Sequence, residues 1–293
     1  MEPNKVVILA YDALDPFLVR RFRLPHLRQE HCGIVDNRSF PLLSTPIIWA
    51  SFITGLPPRL HGVGKSKKWK VPVLERLLPL LEKAPRVSDM LAVLKARLGV
   101  FSYMEKPYDK EHYREKGIKT IFDYAENPFC FDVPSYNQSE VALRLRGCMM
   151  KVLDGKMEAA DYERLLRRYH HLKARLLLKA VASGEHDLVM VHFELSDAMG
   201  HLFISNHLKM LNVYTLLDRL ARRVREMLPP GGLLLIVSDH GMRPFQVYKG
   251  HKGRFGDHSP FGFWSANLPL KLPERVTMTD FFGLIVERLT RRG

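Results

Sequence analysis

Three short runs of almost unbroken apolar residues punctuate the chain: VVILA (Val6 to Ala10), LVMVHFEL (Leu188 to Leu195) and LLLIV (Leu233 to Val237). They lack the alternation of a half-exposed strand, which predicts strands of a sheet covered on both faces. Over Arg164 to Ala182 and Leu208 to Leu228, apolar residues instead recur every three or four positions, which predicts two amphipathic helices. A final helix is predicted over Asp280 to Leu289, with Thr279 as its N-cap. Strands alternating with helices predict an α/β fold around a mainly parallel sheet.

The stretch from Ser66 to Arg146 breaks this rhythm. It is rich in Lys, Arg, Pro and Tyr with poor periodicity, and reads as a partly helical insertion or cap (66–146) within a single domain spanning 1–293. With 46% apolar and 26% charged residues, a chain of 293 residues has an ordinary globular balance, which excludes disorder throughout. Its three cysteines, Cys32, Cys130 and Cys148, are too few and scattered for a disulfide framework or a Cys-rich zinc site.

No run approaches the ~18 apolar residues of a membrane-spanning helix. The N-terminus lacks the longer apolar region and small-residue cleavage site of a signal peptide. A soluble, cytoplasmic protein without a membrane partner is therefore expected. The formal charge of +14 suits an anionic partner such as a phosphate ester, a nucleotide or a nucleic acid.

Each apolar run leads at once to an acid: Asp12 after the first, Asp197 after the second and Asp239 after the third. In open α/β sheets, ligands bind outside the carboxyl ends of the strands. Three carboxylates delivered to one edge repel each other unless a cation lies among them. His201 follows Asp197 by four residues and shares its face if that segment is helical. His240 directly follows Asp239, and His258 sits in the turn-rich GDHSPFGFW. Carboxylates mixed with imidazoles suit Zn, Mn or Fe better than Ca. Of the other histidines, His26, His31, His112, His170, His171 and His186 read as surface residues and His192 as a core residue, while His61 and His251 could approach the site.

The segment PLLSTPIIWASFITGLPPRLHG (Pro41 to Gly62) holds a candidate nucleophile. Thr45 reads as an N-cap and Pro46 as the first helical residue. The helix is expected to end near Thr54, with Gly55 as the stop and Pro57 and Pro58 beyond it. Thr45 can be a simple cap. Equally, a hydroxyl at a helix N-terminus lies where phosphate is attracted, and metal coordination would activate it as a nucleophile.

In order and spacing these motifs resemble the alkaline phosphatase superfamily, and within it the type I phosphodiesterase/nucleotide pyrophosphatase branch. The resemblance rests on Asp12, Thr45, TGLPPRLHG (Thr54 to Gly62), Asp197 with His201, Asp239-His240-Gly241, and His258 in HSPFG. It implies a three-layer α/β/α fold and two divalent ions, Zn by preference, with Mn, Fe or Mg as alternatives. One ion would be held by Asp197, His201 and His258, and the other by Asp12, Asp239 and His240 with Thr45 as nucleophile. The implied reaction is phosphate-ester hydrolysis through a phosphothreonine, with a diester or nucleotide as substrate.

The chain departs from that branch at Ile48, where nucleotide pyrophosphatases carry a phosphate-holding Asn three residues after the nucleophile. Lys65 or a backbone N–H is the candidate replacement, and His61 a further substrate contact. A sulfatase is discounted, because Ser44 to Ile48 lacks the Cys/Ser-x-Pro-x-Arg motif. Two alternatives remain. One is a phosphomonoesterase, phosphonate or phosphoglycerate enzyme of the same superfamily. The other is a non-catalytic nucleic-acid-binding protein using KSKKWK (Lys65 to Lys70), Arg167/Arg168 and Arg222/Arg223.

Overall fold

The computed structural model describes residues 5–64, 67–69, 102–104, 108–245 and 255–291. The first part of the chain forms β1 (Val6–Tyr11), α1 (Pro16–Phe22), α2 (Pro25–Arg28), β2 (His31–Asp36), α3 (Thr45–Thr54) and α4 (Pro58–His61). Next come β3 (Lys67–Trp69), β4 (Ser102–Met104), α5 (Lys110–Glu115), β5 (Pro128–Phe131), α6 (Glu140–Leu153) and α7 (Ala159–Ala182). The last part forms β6 (Leu188–Phe193), α8 (Leu195–Phe203), α9 (His207–Met227), β7 (Leu233–Ser238), β8 (Gly241–Pro244), β9 (Gly256–Ser259), β10 (Phe261–Ala266) and α10 (Asp280–Thr290).

Six strands form the central sheet in the order β2-β10-β7-β1-β6-β5. β1 runs parallel to both β6 and β7, and β5 runs parallel to β6, whereas β10 is antiparallel to β2 and β7. The three apolar runs are thus the adjacent central strands β7, β1 and β6. Their side chains alternate between two apolar layers. Val7, Leu9 and Tyr11 face one layer with α7, α8 and α9. Val6, Ile8 and Ala10 face the other with α3 and α10. Both faces are dry, which is why the strands show no polar alternation.

α3 is buried at all ten positions, so it carries no polar stripe. Each fully buried Ile or Phe there contributes roughly 1.5–3 kcal/mol. Gly55 ends the helix at φ 68°, a left-handed conformation that glycine adopts without strain. The helix starts one residue earlier than the sequence predicts. Ser44 is the N-cap and Thr45 the first helical residue, so Thr45 is not the cap. β6 stops at Phe193, because Glu194 turns to φ −91° and ψ 1° and begins α8.

Of the stretch read as an insertion, residues 70–101 lie outside the described residues. From β5 onwards it belongs to the core: β5 is an edge strand of the central sheet, and α6 buries Ala142 and Leu145. Among the described residues, no helix is long and apolar enough to cross a membrane.

Candidate metal centre

Register brings the acids together. Tyr11 is level with both Phe193 and Ser238, so β1, β6 and β7 end at one edge. Asp12 follows Tyr11 and donates its backbone N–H to the Phe193 carbonyl at 2.9 Å. Asp239 follows Ser238, whose hydroxyl accepts the Leu14 N–H at 2.8 Å. Asp197 and His201 lie one turn apart on α8, the helix that leaves β6. β8 and β9 form a separate ribbon in which Met242 pairs with His258, so β9 carries the last imidazole to the edge. Gly241 is required where this ribbon begins. A Cβ there would lie 2.4 Å from the Phe261 carbonyl oxygen and 2.6 Å from Asp15 Oδ2.

His240 Nε2 lies 3.2 Å from Asp12 Oδ1 and 3.4 Å from Asp239 Oδ2. Thr45 Oγ1 donates to Asp12 Oδ1 at 3.5 Å. A second set forms beside the first. His201 Nε2 is 3.2 Å and His258 Nε2 3.6 Å from Asp197 Oδ1, and the two nitrogens are 3.1 Å apart. The rings of His240 and His258 stack at 3.8 Å and join the two sets. The structure therefore brings Asp12, Thr45, Asp197, His201, Asp239, His240 and His258 into one cluster.

The far side of each ring is tied to a backbone carbonyl. His201 Nδ1 bonds the Gly256 carbonyl at 2.9 Å, His240 Nδ1 the Gly241 carbonyl at 3.0 Å, and His258 Nδ1 the Leu43 carbonyl at 3.4 Å. Nδ1 must carry the proton to make these bonds, so in the neutral rings each Nε2 turns a lone pair inward. Metal-binding imidazoles are oriented in this way. Asp197 Oδ1, Asp239 Oδ2 and His240 Nε2 are buried without a hydrogen-bond partner. Leaving such groups unpaired is costly, and divalent cations among them would satisfy all three. The ligand atoms of Asp12, Asp239 and His240 lie within 4.8 Å of one another, as do those of Asp197, His240 and His258.

Electrostatics reflect the crowding. Burial pushes the Asp12 carboxyl up, but His192 and His240 outweigh it and hold Asp12 well below the ordinary carboxylate range. Burial, reinforced by Asp12, pushes Asp239 well above that range. Burial opposes protonation of His240, yet Asp239 and Asp12 raise it to about 10. His201 is likewise raised to about 9, against its burial, by Asp197. His258 moves the other way, to about 4, through burial and the neighbouring His240. One edge thus holds imidazoles pulled in opposite directions by burial and by the carboxylates around them.

Other candidates sit elsewhere. His61 accepts the Val63 N–H at Nδ1 and bonds Ser51 Oγ through Nε2, both at 3.0 Å, so its ring fixes the α3–α4 corner. His170 is buried against Phe193, not on the surface as expected. Its helix crosses β6, and a histidine's polarity alone does not reveal that contact. Ile48 is buried in the apolar layer beneath the sheet. Lys65 and His251 lie outside the described residues.

Sequence reasoning also undervalued three residues. His192 lies with Nε2 3.5 Å from Asp12 Oδ2. Its signal was a polar residue late in an otherwise apolar strand. Asn37 donates its side-chain amide to the Asp239 carbonyl at 2.5 Å, holding the Asp-His-Gly turn. Lys173 is fully buried, pairs with Asp132 at 2.6 Å and with Glu194, and donates to the His192 carbonyl at 2.9 Å. It thereby anchors the end of β6 from which Asp197 follows.

The sequence profile of type I phosphodiesterases/nucleotide pyrophosphatases matches residues 6–256. The chain belongs to this family. The type I phosphodiesterase/nucleotide pyrophosphatase profile thus covers six of the seven clustered residues, all but His258. No curated protein matches the sequence. Among solved structures, the chain is similar to human ectonucleotide pyrophosphatase/phosphodiesterase 5, with 15% identity and a TM-score of 0.48 over 83% of this chain and 58% of that one. The murine protein of the same name gives 14% identity and a TM-score of 0.46 over 82% and 58% of the respective chains. An inactive form of the murine protein, solved in complex with AMP, also matches at 14% identity and a TM-score of 0.46, over 83% and 58%. The chain therefore spans less than two thirds of the length of these relatives.

Proposed function

We propose that the chain is a metal-dependent phosphoric ester hydrolase acting on phosphodiesters or nucleotide pyrophosphates, with Thr45 as the nucleophile. One observation carries this reading: three imidazoles, each tied by Nδ1 to a backbone carbonyl, turn Nε2 toward three carboxylates beside a threonine hydroxyl. Family membership supports the reaction class. Asp197, His201 and His258 would hold one divalent ion, and Asp12, Asp239 and His240 the other. Mixed carboxylate and imidazole donors favour zinc. When bound, such ions supply positive charge that lowers the pKa of a coordinated oxygen and offsets charge on the phosphoryl group.

The residues of the chain do the rest. Asp12 accepts the Thr45 hydroxyl and aims its oxygen at the cluster. That oxygen attacks phosphorus as its proton passes to solvent, a Thr45 O–P bond forms, and the P–O ester bond breaks, its oxygen leaving as an alcohol or phosphate that takes a proton from water. Water then cleaves the P–O bond to Thr45, restoring the hydroxyl and releasing a phosphomonoester. Thr45, as the first residue of α3, also lies at the positive end of that helix, which favours the substrate's negative charge.

Hydrolysis of bis-p-nitrophenyl phosphate and of p-nitrophenyl phosphate, with metal analysis of the same protein, tests the proposal. Diester turnover that is abolished by chelation and by Thr45→Ala, with metal retained in the variant, supports it. A strong monoester preference favours the phosphomonoesterase alternative. Full turnover by Thr45→Ala excludes the covalent route, and Asp239→Asn with undiminished metal content excludes the ligand set.

A further inference from the structure

A cationic concavity lies at the corner between α1 and α2, outside the metal cluster. It measures about 530 Å³ and is lined by Phe17, Arg20, Arg21, Arg23 and Arg28. All four arginines are exposed, and Phe17 is 61% exposed. Among the described residues, none of the four guanidinium groups pairs with a carboxylate. The nearby acids are already engaged: Glu30 pairs with Arg225 at 3.1 Å, and Asp218 accepts the backbone N–H groups of His26 and Leu27 at 2.9 and 2.8 Å.

The C-terminal end of α1 accounts for Arg20 and Arg21, because cations complement that end of a helix. It does not account for the exposed Phe17. Arg23 occupies the C-cap in the left-handed conformation, at φ 53° and ψ 44°, where glycine is relaxed and other residues lose roughly 1–2 kcal/mol. Arg23 and the exposed ring of Phe17 line the same concavity, which therefore presents cations and an aromatic face together.

We propose that this corner binds single-stranded nucleic acid, its arginines contacting successive phosphates and Phe17 stacking on a base. Cationic grooves with aromatic platforms bind single strands in this way. A concave patch with a single large apolar side chain does not suit a membrane surface, which needs an apolar face. The corner is also better placed for this role than the arginine pairs singled out in the sequence. There, Arg167 pairs with Glu163 at 2.8 Å and Arg222 with Glu226 at 3.4 Å.

The test is fluorescence anisotropy with a labelled single-stranded DNA of about 20 nucleotides, at about 50 and about 200 mM salt. Excess chelator removes any hydrolysis, so the result is independent of the activity proposed above. Arg20→Glu/Arg28→Glu is expected to weaken binding by about tenfold or more and to flatten the salt dependence. Arg168→Glu/Arg175→Glu on α7 makes the same charge change at another face, and is expected to stay within about threefold of the parent. Phe17→Ala is expected to weaken binding by roughly five- to tenfold, with the salt slope unchanged. Phe17→Trp reports stacking directly, as quenching on titration with the oligonucleotide. Circular dichroism confirms that each variant is folded. Absence of binding by the parent, equal losses in the two double variants, or no quenching of Phe17→Trp would each overturn the proposal. Binding to vesicles of anionic phospholipid but not to the oligonucleotide would overturn it in favour of a membrane.

Discussion

His192 points Nε2 at Asp12 Oδ2 from 3.5 Å, while its ring meets Trp49 edge-on at 5.3 Å between centroids. Trp49 lies one turn after Thr45 on α3, so this imidazole braces the carboxylate from the side of the helix that begins with Thr45. His192→Phe keeps the aromatic contact and removes the brace. The expected outcome is a folded protein whose metal affinity or turnover falls by about 10–100-fold, the usual effect of losing a group that orients a ligand. Metal titration by calorimetry and diester hydrolysis measure the two effects. A variant unchanged in both shows that His192 is core packing only.

Lys173 is buried with Asp132 and Glu194 as partners. Removing one side of a buried ion pair leaves charge without compensation and destabilises by about 3–5 kcal/mol. Lys173→Met, of similar volume, is therefore expected to lower the unfolding free energy from urea melts by that amount. Because Lys173 also holds the His192 carbonyl, metal affinity is expected to drop with stability. A urea melt as stable as that of the parent contradicts this reading.

Two glycine substitutions are expected to act in opposite directions. At Gly241 a methyl group has no room, so Gly241→Ala displaces the Asp-His-Gly turn, and metal stoichiometry falls. At Gly147, inside α6, a Cβ meets nothing within 4 Å. Gly147→Ala is expected to stabilise by roughly 0.5–1 kcal/mol through helix propensity alone. Thermal melts of both variants, with metal analysis of the first, check the pair.

Stability is expected to fall on acidification. Burial, helped by His171, Lys173 and Arg167, pushes the His170 pKa down to about 3, below its unfolded value of about 6.5. Between these values the unfolded chain binds a proton that the native state refuses. The contribution is complete above about pH 6.5 and declines toward pH 3, by at most about 1.4 kcal/mol per pH unit. Urea melts from neutral to acidic pH should show a shallower decline for His170→Phe. Equal slopes in parent and variant would exclude His170 as a source.

The central sheet was legible because burial on both faces leaves an unbroken apolar signature in β1, β6 and β7. The three acids were legible because each directly follows such a run. His201 declared itself by helical spacing from Asp197. His258 was singled out as a candidate in a turn-rich segment, but its partners came only through the resemblance, since a short ribbon rather than a core strand delivers it. The start of α3 was placed one residue too late, with Thr45 as the cap, because Ser44 and Thr45 are equally plausible caps and only the backbone dihedrals decide. Lys173 and Asn37 were invisible: their partners are 21 and 202 positions away, and nothing local marks either contact.

Strand order also bears on how the protein is born. Among the described residues, β2 bonds in the sheet to β10 and to Val276, both more than 220 positions later in the chain. During synthesis, the segment that leads into Thr45 has no sheet to join until β10 has left the ribosome. Closing so long a loop is slow, and meanwhile β2 is exposed to stray pairing. A nascent chain therefore cannot complete the edge of the sheet that leads into Thr45 until those distant pairings form.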